Sequence, residues 1–390
     1  MSRQLLILLD KTLFRLVFHV VVLLTKLRDS ARVDEPVEVA ADARFLVIRP
    51  GGLGDGLMCV PMLRALREAF PRGRITLVCV DKNRTALELL PWHDELIAIN
   101  LPLRLFHNAL RLWRQRFDVV LDVEPFRRLS AIVARLSGAP VRVGFDTGER
   151  RALYTHLVSY ANDRRFEGEN MTRQLGVLGV EVSAHELADL RLELPACNRA
   201  RGREVLMEQG AEPDRDFLVA MACGVLKPHH RWVMSEFASL INQIREEDPA
   251  AKVVLVGAPE DLPDTDEVLG NLDSQERVVN LVGKAGFADA LGVLAACRIL
   301  VACDGGIVYM AACVGCATVS LWGPGVMERF KPPGEIHSGV RKQYACIPCV
   351  TWSRLGEFPR CPYGRRCYND LTADEVFEHY ARVKNRVAAP

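Results

Sequence analysis

The acidic residue best suited to proton transfer is Asp55, which stands inside a run of glycines. Glycine lets the backbone turn sharply and approach a ligand closely, so a carboxylate there can act as a general base on a bound hydroxyl. Asp is also among the best N-capping residues of helices, and the spacing supports the catalytic and the capping interpretations equally. Three glycines of this loop are expected to line the same substrate site: Gly51, Gly52 and Gly54.

A second group of residues has the chemistry of a nucleoside-diphosphate site. Asp304-Gly305-Gly306 follows an apolar run and opens a helical pattern, where backbone N–H groups can hold a phosphate. Glu260 follows another predicted strand and could accept hydrogen bonds from ribose hydroxyls. Alone, these residues would be a helix cap and a loop charge. Together at the carboxyl edge of one sheet they favour a ligand site.

A basic run follows a third predicted strand of the same region. Its cations would lie beside a bound diphosphate, although a basic run is also typical of a solvated surface. The residues are Lys227, His230 and Arg231.

Four cysteines form a cluster near the C-terminus, in the pattern C-x2-C followed by C-x5-C. The first pair has the spacing of a metal knuckle, and four thiolates could hold a structural zinc or an iron–sulfur cluster. Two disulfides or four free thiols are the alternatives, and disulfides are disfavoured in a reducing compartment. The cluster consists of Cys346, Cys349, Cys361 and Cys367.

The elements that position these residues alternate between strand and helix. The apolar run Phe45 to Ile48 predicts a buried parallel strand, and the helical pattern that follows the glycine loop extends to Phe70. A second strand–helix series begins at Phe217. The sequence therefore predicts an α/β protein with two Rossmann-like domains and ligands in the cleft between them. The glycines do not match G-x-G-x-x-G and no Walker lysine follows, which argues against a dinucleotide oxidoreductase and a P-loop enzyme.

The N-terminal 28 residues are expected to form an amphipathic, membrane-associated helix with a basic stripe, suited to an anionic lipid surface. A helix that packs on the protein itself or on a partner, and a single-pass anchor, are the alternatives. The expected segments are 1–28 for this helix, 29–43 for a linker, 44–190 for an acceptor domain, 215–372 for a nucleotide-sugar domain with the cysteine cluster at 346–367, and 373–390 for a C-terminal helix that packs back on the first domain.

Composition sets broad limits on function. With 390 residues, 49% hydrophobic and 25% charged, the chain is typical of a globular protein of two domains. The formal net charge of +1 gives no indication of nucleic-acid binding.

The sequence resembles glycosyltransferase family 9, the heptosyltransferase family. The matching segments are LVIRPGGLGDGLMCVPMLRALREAFP, HHRWVMSEFASLI and VACDGGIVYMAACVGCATVSLWGP. The resemblance implies a GT-B fold, inverting sugar transfer without a catalytic metal, an acceptor site on the N-terminal domain and a donor site on the C-terminal domain. It implies Asp55 as the general base, Asp304, Gly305 and Gly306 at the donor diphosphate, and Glu260 at the ribose.

Three positions depart from the family pattern. Gly305 replaces a threonine, Tyr309 replaces a histidine one turn into the helix, and His230 replaces a lysine. The expected partners are ADP-heptose or a similar nucleotide sugar, a lipopolysaccharide or other lipid-linked glycan acceptor, and the cytoplasmic surface of the inner membrane. The alternative function is a catalytically weak, membrane-attached scaffold in glycan assembly.

Overall fold

The computed structural model describes residues 12–25, 32–33, 35–99, 105–161, 163–224, 228–350 and 361–388. The chain divides after Asp189 into two compact units. Each unit is built on one sheet in which every strand pairing is parallel. The predicted α/β class with two Rossmann-like units is therefore confirmed. Lys227 lies outside the described residues.

The sheet of the first unit has seven strands. They are β1 (Arg32–Val33), β2 (Arg44–Ile48), β3 (Arg74–Cys79), β4 (Glu95–Ala98), β5 (Val119–Asp122), β6 (Val141–Phe145) and β7 (His156–Val158). The spatial order is β1-β7-β6-β5-β2-β3-β4, so β2 lies between β5 and β3. Its residues from Phe45 to Ile48 are fully buried, as a continuous apolar run predicts for an interior parallel strand.

The first unit has eight α-helices among the described residues. They are α1 (Leu13–Thr25), α2 (Leu53–Leu57), α3 (Val60–Ala69), α4 (Asp81–Glu88), α5 (Leu105–Arg114), α6 (Arg128–Leu136), α7 (Glu167–Arg173) and α8 (Ala184–Ala188). Helix α1 has 13 residues, about 20 Å of helix. Within the described ranges, no helix is both long enough and apolar enough to cross a bilayer.

The second unit has a six-stranded sheet in the order β10-β9-β8-β11-β12-β13. Its strands are β8 (Phe217–Ala222), β9 (Ala251–Leu255), β10 (Val278–Asn280), β11 (Ile299–Cys303), β12 (Ala317–Leu321) and β13 (His337–Val340). Its helices are α9 (Ala196–Glu208), α10 (Met234–Glu247), α11 (Leu262–Gly270), α12 (Phe287–Ala296), α13 (Gly306–Cys313), α14 (Met327–Phe330), α15 (Arg366–Asn369) and α16 (Ala373–Ala388).

The C-terminal helix packs within the second unit, so the prediction that it returns to the first domain is wrong. Val376, Tyr380 and Val383 of α16 are buried in the core of the second unit. Lys384 pairs with Asp248 at 2.6 Å on the same unit. The apolar stripe of α16 thus covers the sheet that immediately precedes it in the chain.

Candidate functional site

Asp55 lies in the first turn of α2, just beyond the carboxyl end of β2. The N-cap of this helix is Gly52 and not Asp55, which is the third residue of the helix. The Gly52 N–H donates to Oδ2 of Asp55 at 2.5 Å, which fixes the side chain over the loop. About a quarter of the side chain (27%) stays exposed. The carboxylate is therefore anchored and still accessible, as a general base must be.

Arg49, which was not among the predicted site residues, contacts the same carboxylate. Its side chain is 2% exposed. Nη2 lies 3.2 Å from Oδ1 of Asp55, and Nε donates to the Asp55 carbonyl at 3.0 Å. Burial alone would lower the pKa of the guanidinium, but Asp55 and other neighbouring acidic groups raise it above the ordinary value. Arg49 is thus a permanent buried cation against the candidate base.

Two further side chains complete the support of the loop. Arg49 also lies 3.8 Å from the buried carboxylate of Glu124 and donates to the Val123 carbonyl at 3.3 Å. Asn83, which is fully buried, donates from Nδ2 to the Arg49 carbonyl at 2.8 Å. The loop is therefore tied to the chain beyond β5 and to α4 through one arginine.

The predicted loop glycines make room for the carboxylate. A Cβ on Gly51 would lie 2.7 Å from the side chain of Asp55, and one on Gly52 would lie 3.3 Å from Oδ2. Gly54 accepts the N–H of Met58 at 3.0 Å, which continues the turn. The glycines at 51 and 52 are thus required by the close approach of Asp55.

Arg150 lies in a basic loop segment of the first unit but is buried. It contacts Oδ2 of Asp122 at 2.8 Å, and the Tyr154 hydroxyl donates to the same oxygen at 2.6 Å. Burial raises the pKa of Asp122 although Arg150 opposes the shift. This group stabilises the end of β5 and is not open to an acceptor.

In the second unit, Asp304 follows β11 and precedes α13, as the sequence predicts, but the N-cap of α13 is Gly305 rather than Asp304. The backbone N–H groups of Gly305 and Gly306 stand at the positive end of this helix. Nδ1 of His230 lies 3.1 Å from Oδ2 of Asp304, and His230 is 3% exposed. No ring nitrogen of His230 has a well-oriented hydrogen bond within the part of the chain that the structure describes. The two residues thus form a contact at the predicted diphosphate position.

The other predicted donor residues are placed less favourably. Arg231 pairs with Asp264 and lies 3.7 Å from Glu267, both on α11. Tyr309 is buried, and its hydroxyl donates to the Phe330 carbonyl at 3.0 Å. Glu260 is exposed. Arg231 and Tyr309 therefore already have partners within the second unit.

Asp261, which was not among the predicted site residues, lies against the glycines that follow β8 and β9. A Cβ on Gly224 would lie 2.1 Å from Oδ1 of Asp261, and one on Gly257 would lie 2.8 Å from Oδ2. These glycines follow the adjacent strands β8 and β9. Oδ2 of Asp261 also accepts a hydrogen bond from the Ala258 N–H at 2.8 Å. The sequence feature that could have indicated Asp261 is the glycine that follows each of these two neighbouring strands.

The four clustered cysteines are free thiols near one another. Burial first, and then Cys349, Cys361 and Cys346, raise the pKa of Cys367 to about 11. Backbone N–H groups of Cys349 and Val350 donate to the Pro324 carbonyl at 3.1 and 2.9 Å. Among the described residues, however, no three His, Cys, Asp or Glu side chains converge as a metal site. The geometry does not support the predicted structural metal.

Each unit presents one group with a definite chemistry. The first unit presents an anchored carboxylate, which can accept a proton. The second presents a helix N-terminus, which can stabilise negative charge on a phosphate.

The chain matches the family model described as "Glycosyltransferase family 9 (heptosyltransferase)" over residues 105–356. It is 26% identical over 310 residues to lipopolysaccharide heptosyltransferase 2 of Salmonella typhimurium, which covers 74% of this chain and 85% of that relative.

Solved structures share the fold. A family 9 glycosyl transferase from Veillonella parvula superposes with a TM-score of 0.71 at 21% identity, covering 88% of this chain and 97% of that one. E. coli ADP-heptose LPS heptosyltransferase II gives 0.68 at 20% identity, covering 88% and 100%. The dodecameric iron-containing heptosyltransferase TibC gives 0.55 at 11% identity, covering 90% of this chain and 78% of that one. At these identities the likeness establishes the GT-B fold class.

Proposed function

The chain belongs to glycosyltransferase family 9, and on that premise we propose that it transfers a heptose-like sugar from a nucleotide donor to a lipopolysaccharide precursor. The observation that carries the proposal is the Asp55 carboxylate, fixed by the Gly52 N–H and by Arg49 yet 27% exposed. The heptosyltransferase names of the relatives suggest ADP-heptose as the donor and a lipopolysaccharide core as the acceptor.

In the proposed reaction Asp55 takes the proton of an acceptor hydroxyl while that oxygen forms a bond to the anomeric carbon. The bond between the anomeric carbon and the donor diphosphate breaks, and its electron pair leaves with the diphosphate oxygen. Attack opposite the leaving group inverts the anomeric configuration. The resemblance to the family implies that no catalytic metal takes part.

The second unit would hold the donor. The N–H groups of Gly305 and Gly306 would stabilise the charge that grows on the departing diphosphate. His230, which lies against Asp304, is the best placed of the predicted cations. We retain Glu260 as the proposed ribose contact, with Asp261 as the carboxylate beside it. Arg231 and Tyr309 would first have to leave their present partners.

We also propose that a structural zinc or an iron–sulfur cluster binds Cys346, Cys349, Cys361 and Cys367. Support comes from the C-x2-C spacing and from the iron in TibC. The thiols would have to move together, since they do not converge as a metal site.

Metal analysis of protein purified without oxygen tests the cluster. Cys349→Ser and Cys367→Ser should each lose bound zinc or iron, whereas Cys197→Ser, an exposed cysteine outside the cluster, should keep it. A metal content unchanged in both cluster variants would contradict the proposal.

We place the enzyme at the cytoplasmic surface of the inner membrane, where a lipid-linked acceptor would be within reach. Support comes from helix α1, which combines apolar residues with Arg15 and His19.

Calorimetric titration with ADP, UDP, GDP and ADP-heptose tests the donor. Selective binding of ADP and ADP-heptose is the expected result. Binding of a different diphosphate would change the donor, and no binding of any of the four would favour the scaffold alternative. Gly305, Tyr309 and His230 are the departures most relevant to that choice.

A further inference from the structure

Helix α1 has two apolar faces, of which one is buried and the other is exposed. Phe14, Phe18 and Val21 are buried in the core of the first unit, where α1 packs against α6. One side of the helix therefore packs on the protein itself, which was an alternative that the sequence left open. The opposite side remains to be explained.

The opposite face of α1 is apolar and exposed. Leu16 and Leu23 are 66% and 73% exposed, and Leu13 and Val20 are 41% and 47% exposed. Spacings of three and four residues align these side chains along one side of the helix. Four large aliphatic residues in one exposed row cost free energy in water, since each would be more stable out of it.

Helix α5 adds two further exposed apolar residues. Leu110 is 46% exposed and Trp113 is 59% exposed. Helices α5 and α1 both pack against α6. We define the apolar face as the six residues Leu13, Leu16, Val20, Leu23, Leu110 and Trp113.

The charged residues that the two helices themselves contribute to the apolar face are basic. The stretches Leu13–Thr25 and Leu105–Arg114 contain no Asp or Glu. Exposed cations stand beside the apolar residues at Arg15, Arg111 and Arg114. Arg111 also contacts Glu95 at 2.8 Å, and His19 lies 3.8 Å from Glu149. An apolar strip bordered by cations complements a bilayer that contains anionic lipids.

We propose that the apolar face docks on a membrane rich in anionic phospholipids, with Trp113 at the level of the headgroups. Tryptophan suits that level because its ring is apolar and its N–H remains hydrated. The inference deepens the proposed function, on which it rests for its biological purpose, by assigning the membrane contact to two helices. A second copy of this chain or a protein partner on the same face would be a different outcome of the test.

Vesicle flotation of the full-length protein provides the test. The wild type should float with vesicles of phosphatidylethanolamine and phosphatidylglycerol, bind phosphatidylcholine vesicles weakly, and lose binding as salt rises. The double variant Leu16→Glu/Leu23→Glu should lose membrane partitioning by about tenfold or more, since two exposed leucines no longer enter the interface. Met207→Glu, an equally exposed apolar site on α9, should bind as the wild type does.

Quenching by brominated lipids gives a second readout. Trp113→Phe should remove most of the lipid-dependent quenching while the protein still floats. Flotation of the double variant at the wild-type level would overturn the proposal, as would a wild type that binds no vesicle. A double variant that turns a dimer into a monomer and still floats would also overturn it, in favour of a second copy.

The ADP affinity of each variant separates this inference from the proposed function. The double variant should bind ADP as the wild type does, because its changes are on α1 and not at α13. Vesicle binding without any nucleotide binding would count against the transferase and leave the apolar face supported.

Discussion

Arg49, which is buried, forms an ion pair with the partly exposed Asp55, with Nη2 of Arg49 3.2 Å from Oδ1 of Asp55 and Nε 3.0 Å from the Asp55 carbonyl. One guanidinium therefore fixes both the side chain and the backbone of the candidate base. The Gly52 N–H holds the other carboxylate oxygen at 2.5 Å. The orientation of Asp55 is thus set before a substrate binds, which is the condition under which a general base is most effective.

Arg49→Met should destabilise the protein and reduce turnover. It leaves the carboxylates of Asp55 and Glu124 without their buried cation, and loss of one partner of a buried pair costs about 3–5 kcal/mol. Urea unfolding and steady-state kinetics measure the two effects. Arg49→Lys keeps the charge with fewer donors, so it should recover much of the stability but a lower kcat than the wild type.

Arg84→Met is the matched control, because Arg84 pairs with Glu88 on the surface. Exposed pairs of this kind contribute little, so unfolding and turnover should stay unchanged. Wild-type kcat in Arg49→Lys would show that the geometry of the guanidinium is unimportant for Asp55.

Gly305→Thr should strengthen ADP binding. Gly305 has an extended backbone with φ near −175°, and among the described residues a Cβ there would make one ordinary contact, with the Cys303 carbonyl at 3.6 Å, so the position accommodates a side-chain carbon. The added hydroxyl can donate to a phosphate, and a hydrogen bond to a charged group is worth about tenfold in affinity. Calorimetry with ADP measures the change. An unchanged or weaker affinity would place the diphosphate elsewhere.

Gly323→Thr serves as the contrasting variant. A Cβ on Gly323 would lie 2.2 Å from the ring of Tyr368, which is fully buried. The variant should lower the melting temperature, since overpacking a core costs about 1–3 kcal/mol. Glycine to threonine is thus expected to strengthen ADP binding at position 305 and to destabilise the fold at position 323.

The stability of the protein should fall between pH 7 and pH 5 in a way that depends on His337. Burial first, and then Lys331, lower the pKa of His337 from 6.5 to about 4. The folded state therefore prefers the neutral ring: the stabilisation is complete above pH 6.5 and is lost as pH falls toward 4. This pKa difference corresponds to about 2 kcal/mol of unfolding free energy lost by pH 5.

Urea unfolding at both pH values measures that loss. His337→Gln should remove the contribution of His337 to this loss, so the unfolding free energy of the variant should differ less between pH 7 and pH 5 than that of the wild type. His185→Gln, an exposed histidine on α8, should keep the wild-type difference. Equal pH dependence in the His337 variant and the wild type would contradict the assignment.

The strand, glycine loop and helix around Asp55 could be predicted because each has a local signal: an apolar run, consecutive glycines and a helical apolar period. The turn from β11 through Asp304 to α13 has the same signals. Arg49 could not be recognised in this way. An arginine after a strand is normally exposed, and its burial depends on Val123 and Glu124, which are distant in the sequence.

Long-range contacts also explain the other differences. The apolar stripe of α16 shows that the helix packs, but it does not indicate which sheet it covers. Tyr309 was expected at the donor because of its position in α13, and in the structure its hydroxyl donates a hydrogen bond to the Phe330 carbonyl. The sequence predicted a membrane-associated N-terminal helix and left packing on the protein as an alternative, but both faces of that helix are apolar. Only the fold shows that Phe14 and Phe18 lie inside.

The most direct test of the account is the release of ADP from ADP-heptose in the presence of a heptose-deficient lipopolysaccharide precursor, for the wild type and Asp55→Asn. Asparagine keeps the shape and can still accept the Gly52 N–H, but it cannot take a proton. We predict acceptor-dependent release by the wild type, a loss of about a hundredfold or more in the variant, and equal ADP affinity in both. Wild-type turnover in Asp55→Asn would contradict the assignment of Asp55 as the base.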